Sequence, residues 1–206
     1  YEGNLWFASS RRGVLEVVRS KFVNVTMAAG LPEITANSTL IYNGLLYIGA
    51  DEGLFIVDQH GLPVENELTL ALEGTRIRSL AADGEGNLWI CTYTNTGLVR
   101  ARGDGSFVSI TDGPLSDKVR TVIPSKNGGV IAAGSQGVAV IRDGRVVKSY
   151  TDRDGLSNPV ILTLYENRDG VIFAGSDGGG IYRIDGDEIT NYSERDGLSS
   201  GVILRM

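Results

Sequence analysis

Residues 86–92 read GNLWICT, and residues 3–9 read GNLWFAS. Two near-copies of so specific a run, 83 positions apart in a chain of 206 residues, mark a repeated unit. Aligned on the first glycine, weaker copies follow at G44-L-L-Y-I-G-A, G129-V-I-A-A-G-S and G170-V-I-F-A-G-S, with spacings of 41, 42, 43 and 41. The sixth position is always small: Ala8, Gly49, Cys91, Gly134 and Gly175. A second landmark follows each copy at Gly13, Gly53, Gly97, Gly137 and Gly180. A third closes it at Gly30, Gly74, Gly113, Gly155 and Gly197, with DGLS intact at 154–157 and 196–199.

The content of one unit sets the secondary structure. VILTLYE (160–166) is a β-branched and apolar run, NRDG a turn and VIFAGS a second run. DGGG, IYRID, GD and EITNY then alternate turn and strand. Short β-rich runs bounded by turn residues read as strands, and no segment shows sustained helical periodicity with caps. Asn43-Gly44, Asp143-Gly144, Asp169-Gly170 and Asp185-Gly186 are expected to form tight hairpin turns, because both central positions of such a turn need positive φ. Four antiparallel strands per roughly 42 residues is the period of a β-propeller blade. The expected fold is therefore all-β: a propeller of five four-stranded blades in a single domain over 1–206, with repeats at about 1–34, 35–76, 77–118, 119–160 and 161–206. Either the five repeats close a ring, with VILRM (202–206) completing the first blade, or they are a fragment of a larger propeller. Local blade completion is the favoured expectation.

The sixth-position residue is expected to pack one blade face against the next. That makes Cys91, the lone cysteine, a small buried hydrophobe rather than a redox or metal group. A net charge of −6 argues against nucleic acid, which needs a concentrated basic face. His60 is the only histidine, and no nucleophile motif accompanies it, so no catalytic residue is expected. The acidic clusters at Asp83/Glu85, Asp152/Asp154, Asp185/Asp187/Glu188 and Glu194/Asp196 fall at turns and lack the spacing of a calcium loop. No metal and no cofactor are expected.

The run D-G-x-G-N-L-W-I at 83–90, Gly97-Leu98 eight residues after Trp89, and DGL-S closing a repeat resemble the two-component regulator propeller repeat. The match weakens in the second repeat, where Leu45-Leu46-Tyr47 replaces Asn-Leu-Trp, and in the fourth, where Ala132 is aligned with the tryptophan. The resemblance implies an extracytoplasmic sensory region of a bacterial membrane signalling protein, periplasmic or extracellular. A membrane segment and a histidine kinase or diguanylate cyclase would then lie outside this sequence. It implies sensing of sugars or other nutrients and brings no catalytic residues with it.

In a four-stranded antiparallel blade, the connections between strands two and three leave from the same rim as those from strand four to the next blade. That rim gathers SSRR (9–12), ADE (50–52), TYTNT (92–96), SQ (135–136) and SDGG (176–179), where the copies diverge. The expected ligand-facing set is Arg11, Arg12, Asp51, Tyr93, Asn95, Gln136 and Asp177. Arginine grips carboxylates or hydroxyls, and tyrosine stacks on a sugar face. A small molecule or oligosaccharide is the expected partner. Homodimerisation or a protein-interaction scaffold is the alternative use of the same rim, and a propeller lyase or lactonase the third reading.

Overall fold

The structure, a computed structural model, describes residues 5–9, 13–17 and 24–206. Among them, seventeen strands form five separate antiparallel sheets that follow one another along the chain. The first holds β1 (Leu5–Ser9) and β2 (Gly13–Val17), and the second β3 (Ala36–Tyr42), β4 (Leu45–Ala50) and β5 (Leu54–Val57). The third is β6 (Ile77–Ala82), β7 (Leu88–Thr92), β8 (Leu98–Ala101) and β9 (Phe107–Ile110). The fourth is β10 (Val119–Pro124), β11 (Val130–Gly134), β12 (Gly137–Arg142) and β13 (Arg145–Tyr150). The fifth is β14 (Ile161–Glu166), β15 (Ile172–Ser176), β16 (Ile181–Asp185) and β17 (Glu188–Tyr192). Every sheet is a simple meander, and no strand crosses from one sheet to another.

The second to fifth sheets stack face to face in the manner of propeller blades. One apolar cluster joins Ile56 and Leu72 of the second repeat to Ile77, Leu88, Ile90 and Val99 of the third. The next joins Trp89, Cys91 and Leu98 to Val119, Val130 and Ile141. A third joins Ile131, Ala133 and Val138 to Ile161, Ile172 and Tyr182. Successive first strands are neighbours, β3 with β6, β6 with β10 and β10 with β14, which puts them together on the inner side of the array.

Three expectations are corrected. The second repeat has three strands, because residues 58–76 form a hairpin extension and a short helix, α2 (Glu67–Ala71), where a fourth strand was expected. Asn66 caps that helix in a box with Thr69, a local signal stronger than the repeat pattern. A second short helix, α1 (Val25–Ala28), is capped by Asn24.

The second correction concerns register in the fourth repeat. Ser79 pairs with Cys91, Ser38 with Gly49 and Thr163 with Gly175, but Thr121 pairs with Ala133. Ala133, not Gly134, therefore fills the small slot, and Ile131, not Ala132, takes the place of Trp89. The turn agrees: Gly128 donates to Ser125 as Gly86 donates to Asp83 and Gly170 to Asn167. Aligned on Gly44, Gly86, Gly128 and Gly170, the spacing is a uniform 42.

The third correction is in the turns. Asn43-Gly44 and Asp143-Gly144 have both residues at positive φ, as expected of such hairpins. In the Asp185–Glu188 turn only Gly186 does, and it stands first of the two central residues. Asp169-Gly170 belongs to a longer loop organised by Asn167, whose side chain accepts from the Asp169 and Val171 amides.

The small slot does seat one blade on the next. A Cβ on Gly49 would stand 2.5 Å from Ile77 Cγ2 of the following blade. One on Gly175 would stand 2.7 Å from Ile203 Cγ2, so Ile203 lies against the fifth sheet as Ile77 lies against the second. Ile203 also donates to the Ser176 carbonyl, and Val202 bridges Asp177. Residues 201–203 thus hold the place of the next first strand.

Candidate functional site

The opening motif is structural. Asp83 Oδ1 accepts from the amides of Glu85 and Asn87, and Oδ2 accepts from Asn87 Nδ2 and from Trp89 Nε1 at 2.7 Å. One carboxylate thus closes the turn and pairs the indole of a residue that is only 1% exposed. Cys91 is fully buried, and burial pushes its thiol well above the usual range. His60 is exposed in the loop after β5, beside Gln59.

Chemistry concentrates on the rim that carries the diverging loops. Hydrogen bonds tie those loops to the inter-blade segments: the Tyr93 amide to the Arg76 carbonyl, Gly74 to Glu52, Ser135 to Lys118 and Gly178 to Gly201. Each complete first strand carries a register shift one residue after its start, at Asn37, Arg78, Arg120 and Leu162. Such bulges re-aim a side chain that a regular strand would commit to a sheet face. The same irregularity four times over makes a ring of specially placed residues on the innermost strands. Three are polar and the fourth is leucine.

Around Tyr93 these residues converge. The guanidinium carbons of Arg76, Arg78 and Arg120 lie 5.7, 5.9 and 5.1 Å from the centre of its ring, within cation–π range. Arg120 Nη2 donates to the Tyr93 hydroxyl at 2.9 Å, while Arg120 Nε is buried without a partner. Arg76 Nε stands 2.7 Å from Asp51 Oδ1, an ion pair without hydrogen-bond alignment. Asn37 Nδ2 donates to the same oxygen at 2.6 Å and to the Ile77 carbonyl. The Asn37 amide first, and then Arg76 and Arg78, outweigh partial burial and hold the Asp51 carboxyl below the usual range. Arg76 keeps 43% of its side chain exposed, so a solute can reach it.

Of the residues expected to face a ligand, the structure brings Asp51 and Tyr93 together through Arg76. Asn95, Gln136 and Asp177 are exposed loop residues outside this cluster, and Asp177 is engaged through its backbone with Val160, Val202 and Asn158. Arg11 and Arg12 lie outside the described residues. Sequence reasoning missed Asn37, Arg76, Arg78 and Arg120 by looking only at loops. The signal was the recurring R-I-R-S and V-R-T at the start of two first strands. A separate concavity of about 360 Å³ occupies the gap left by the missing fourth strand, lined by Leu31, Leu54, Phe55, Pro63 and Leu70. It is mainly apolar, with Glu52, Glu65, Thr69 and Glu73 also in its wall.

Residues 71–94, from the end of α2 through β7, match the family model described as Two component regulator propeller. The likeness to that repeat is thus found in the sequence over the turn and second strand of the third sheet. The fold is similar to that of the extracellular domain of BT3049 from B. thetaiotaomicron, a protein assigned as a hybrid two component system. The TM-score is 0.76 at 20% identity, over 99% of this chain and 29% of that one. The extracellular domain assigned to BT4673 of the same organism matches with a TM-score of 0.50 at 17% identity, over 99% of this chain and 34% of that one. A virginiamycin B lyase from Staphylococcus aureus matches with a TM-score of 0.59 at 13% identity, over 76% of this chain and 55% of that one. The chain thus spans about a third or less of the two signalling proteins' matched chains. At these identities the likeness is one of fold. Comparison with curated proteins gave no sequence match. Among the described residues no helix is long and apolar enough to cross a membrane, and no His/Cys/Asp/Glu group is arranged to hold a metal ion.

Proposed function

We propose that this chain is a non-catalytic sensory module of a membrane-anchored bacterial signalling protein, lying outside the cytoplasm. It binds a solute on the rim formed by the bulged first strands and the loops between strands two and three. The observation that carries this reading is the convergence of Arg76, Arg78 and Arg120 on Tyr93, with Asp51 paired to Arg76, at the inner edge of that rim. Polar groups gathered on a rigid repeated scaffold are what a recognition surface requires. The family match and the fold shared with extracellular domains of two-component proteins support the setting. Carbohydrate or other nutrient sensing is the narrower form of this proposal. The five sheets are read as five consecutive blades, with residues 201–206 in the place of the next first strand.

A propeller lyase is the rival suggested by fold. One of the lyase structures is a catalytically inactive variant in which a histidine is replaced by alanine. The single histidine here, His60, follows a third strand and so sits on the rim opposite the arginine cluster. That placement favours binding over catalysis.

A thermal-shift screen of the 206-residue chain against neutral oligosaccharides, amino acids and small acids tests the proposal. A saturable rise in melting temperature with at least one solute is expected. No shift with any solute, together with a cross-linked dimer through Tyr93, would replace it with the scaffold reading.

A further inference from the structure

The charge balance of the rim cluster names the chemistry of its ligand. Three guanidiniums surround Tyr93, and among the described residues only one carboxylate, Asp51, lies within ion-pair distance of any of them. Asp117, next along the rim, is paired with Lys118. Two positive charges are left over, on Arg78 and Arg120, in a chain whose overall charge is −6. This local excess runs against the sign of the whole molecule. Like charges held close repel, and an arrangement that keeps them together without counter-charge is one that a bound anion completes.

Geometry points the same way. Arg78 and Arg120 are the bulge residues of neighbouring first strands, so their placement is fixed by backbone irregularity rather than by long flexible loops. Tyr93 holds both: its ring faces the guanidiniums, and its hydroxyl accepts from Arg120 Nη2. With Arg120 Nη2 committed to that hydroxyl and Arg120 Nε buried without a partner, the two arginines beside one ring still carry N–H donors of the kind that grip an oxyanion. Asn37 and Arg76 keep Asp51 to one side, where it pairs with Arg76, acts on Arg78 only beyond ion-pair distance, and leaves three guanidiniums with one carboxylate.

We infer that Arg78, Arg120 and Tyr93 form a binding site for a doubly charged oxyanion group of the sulfate, phosphate or dicarboxylate class, with Arg76 and Asp51 as its flank. This inference rests on the sensory reading above and sharpens it: the solute recognised here carries such a group. Asp51 sets the affinity from the flank by competing for the same cations.

The test is isothermal titration of the 206-residue chain with sodium sulfate, inorganic phosphate and succinate, with sodium chloride at matched ionic strength as the control. Saturable binding beyond chloride is expected for at least one of the three dianions, weakening as chloride rises. The Arg78→Ala/Arg120→Ala variant is expected to lose at least about tenfold in affinity, and Arg78→Lys/Arg120→Lys to lose less, since lysine keeps the charge but not the fork. Asp51→Asn is expected to tighten binding, because it removes the competing carboxylate. That outcome does not depend on the double-alanine variant folding. Lys148→Ala, in the outer strand β13, leaves binding unchanged. Three results would each overturn the inference: no dianion binding above chloride, equal binding by the double-alanine variant, or weaker binding by Asp51→Asn. If a neutral oligosaccharide still raised the melting temperature, and the double-alanine substitution left that rise intact, the sensory reading would stand and the anion site would fall.

Discussion

Replacing Asp83 by asparagine isolates what the GNLW motif does. The substitution keeps shape and leaves one oxygen to accept from the Glu85 and Asn87 amides. It puts an NH2 group where Oδ2 now receives Asn87 Nδ2 and Trp89 Nε1, so two donors face a donor. Trp89 is 1% exposed and Asn87 8%, so water cannot take over either bond. Losing the charge-assisted hydrogen bonds to these two buried donors costs about 2–3 kcal/mol in all. In a chain of this size that is a fall of about 4–12 °C in melting temperature. Urea unfolding followed by tryptophan fluorescence and by circular dichroism gives the free energy, and coincident transitions show that one number applies. Trp89→Phe removes the indole donor, so the double variant Asp83→Asn/Trp89→Phe should cost less than the sum of the singles by about 1.5 kcal/mol. A single-variant loss below about 0.5 kcal/mol, or strict additivity in the cycle, would refute the claim that the acid of this motif exists to pair the blade's tryptophan.

Three further outcomes follow from the same structure. Gly97→Ala is expected to destabilise by about 2–4 kcal/mol in urea, because its φ is +74° and a Cβ would stand 2.5 Å from the Ile110 carbonyl and 2.6 Å from that of Leu115; a neutral result would contradict the blade closure drawn here. Cys91 is expected to resist iodoacetamide in the native chain and to react only on unfolding, since it is fully buried with a raised pKa; labelling of the native chain at the unfolded rate would contradict its place in the core. Stability is expected to fall as pH drops below about 4, because Asp83, Asp154 and Asp196 all have pKa values lowered by their hydrogen bonds. The stability these carboxylates give is complete above the unfolded-state pKa and is lost as pH falls through the lowered folded values; the Asp83→Asn variant should show a shallower acid limb, and an unchanged limb would count against the motif's role.

The blade was legible because its signals are local. Gly86, Trp89, Cys91 and Gly97 each meet a distinct demand of a turn, a core or a close approach, and the period followed from their recurrence. The one-residue misalignment of the fourth repeat arose because KNGGV (126–130) offers two glycines, Gly128 and Gly129, and only the strand register chooses between them. The missing fourth strand of the second repeat was hidden because the Asn66–Thr69 capping box is a four-residue signal inside a 42-residue pattern. The rim was only partly legible. Tyr93 and Asp51 stand where the copies diverge, and divergence drew attention to them. Arg78 and Arg120 stand inside strands, where a regular pleat would give each a fixed face. Only a bulge, a property of the pairing rather than of either strand, brings them to the ring of Tyr93.

Amide chemical-shift mapping during a sulfate titration tests most directly which face of this propeller is its binding surface. The largest perturbations are expected on Arg76, Arg78, Tyr93 and Arg120, with little change at the Asn43-Gly44, Asp143-Gly144 and Gly186 turns of the opposite rim. Perturbations centred on those turns, or spread evenly over both rims, would contradict this placement of the binding surface.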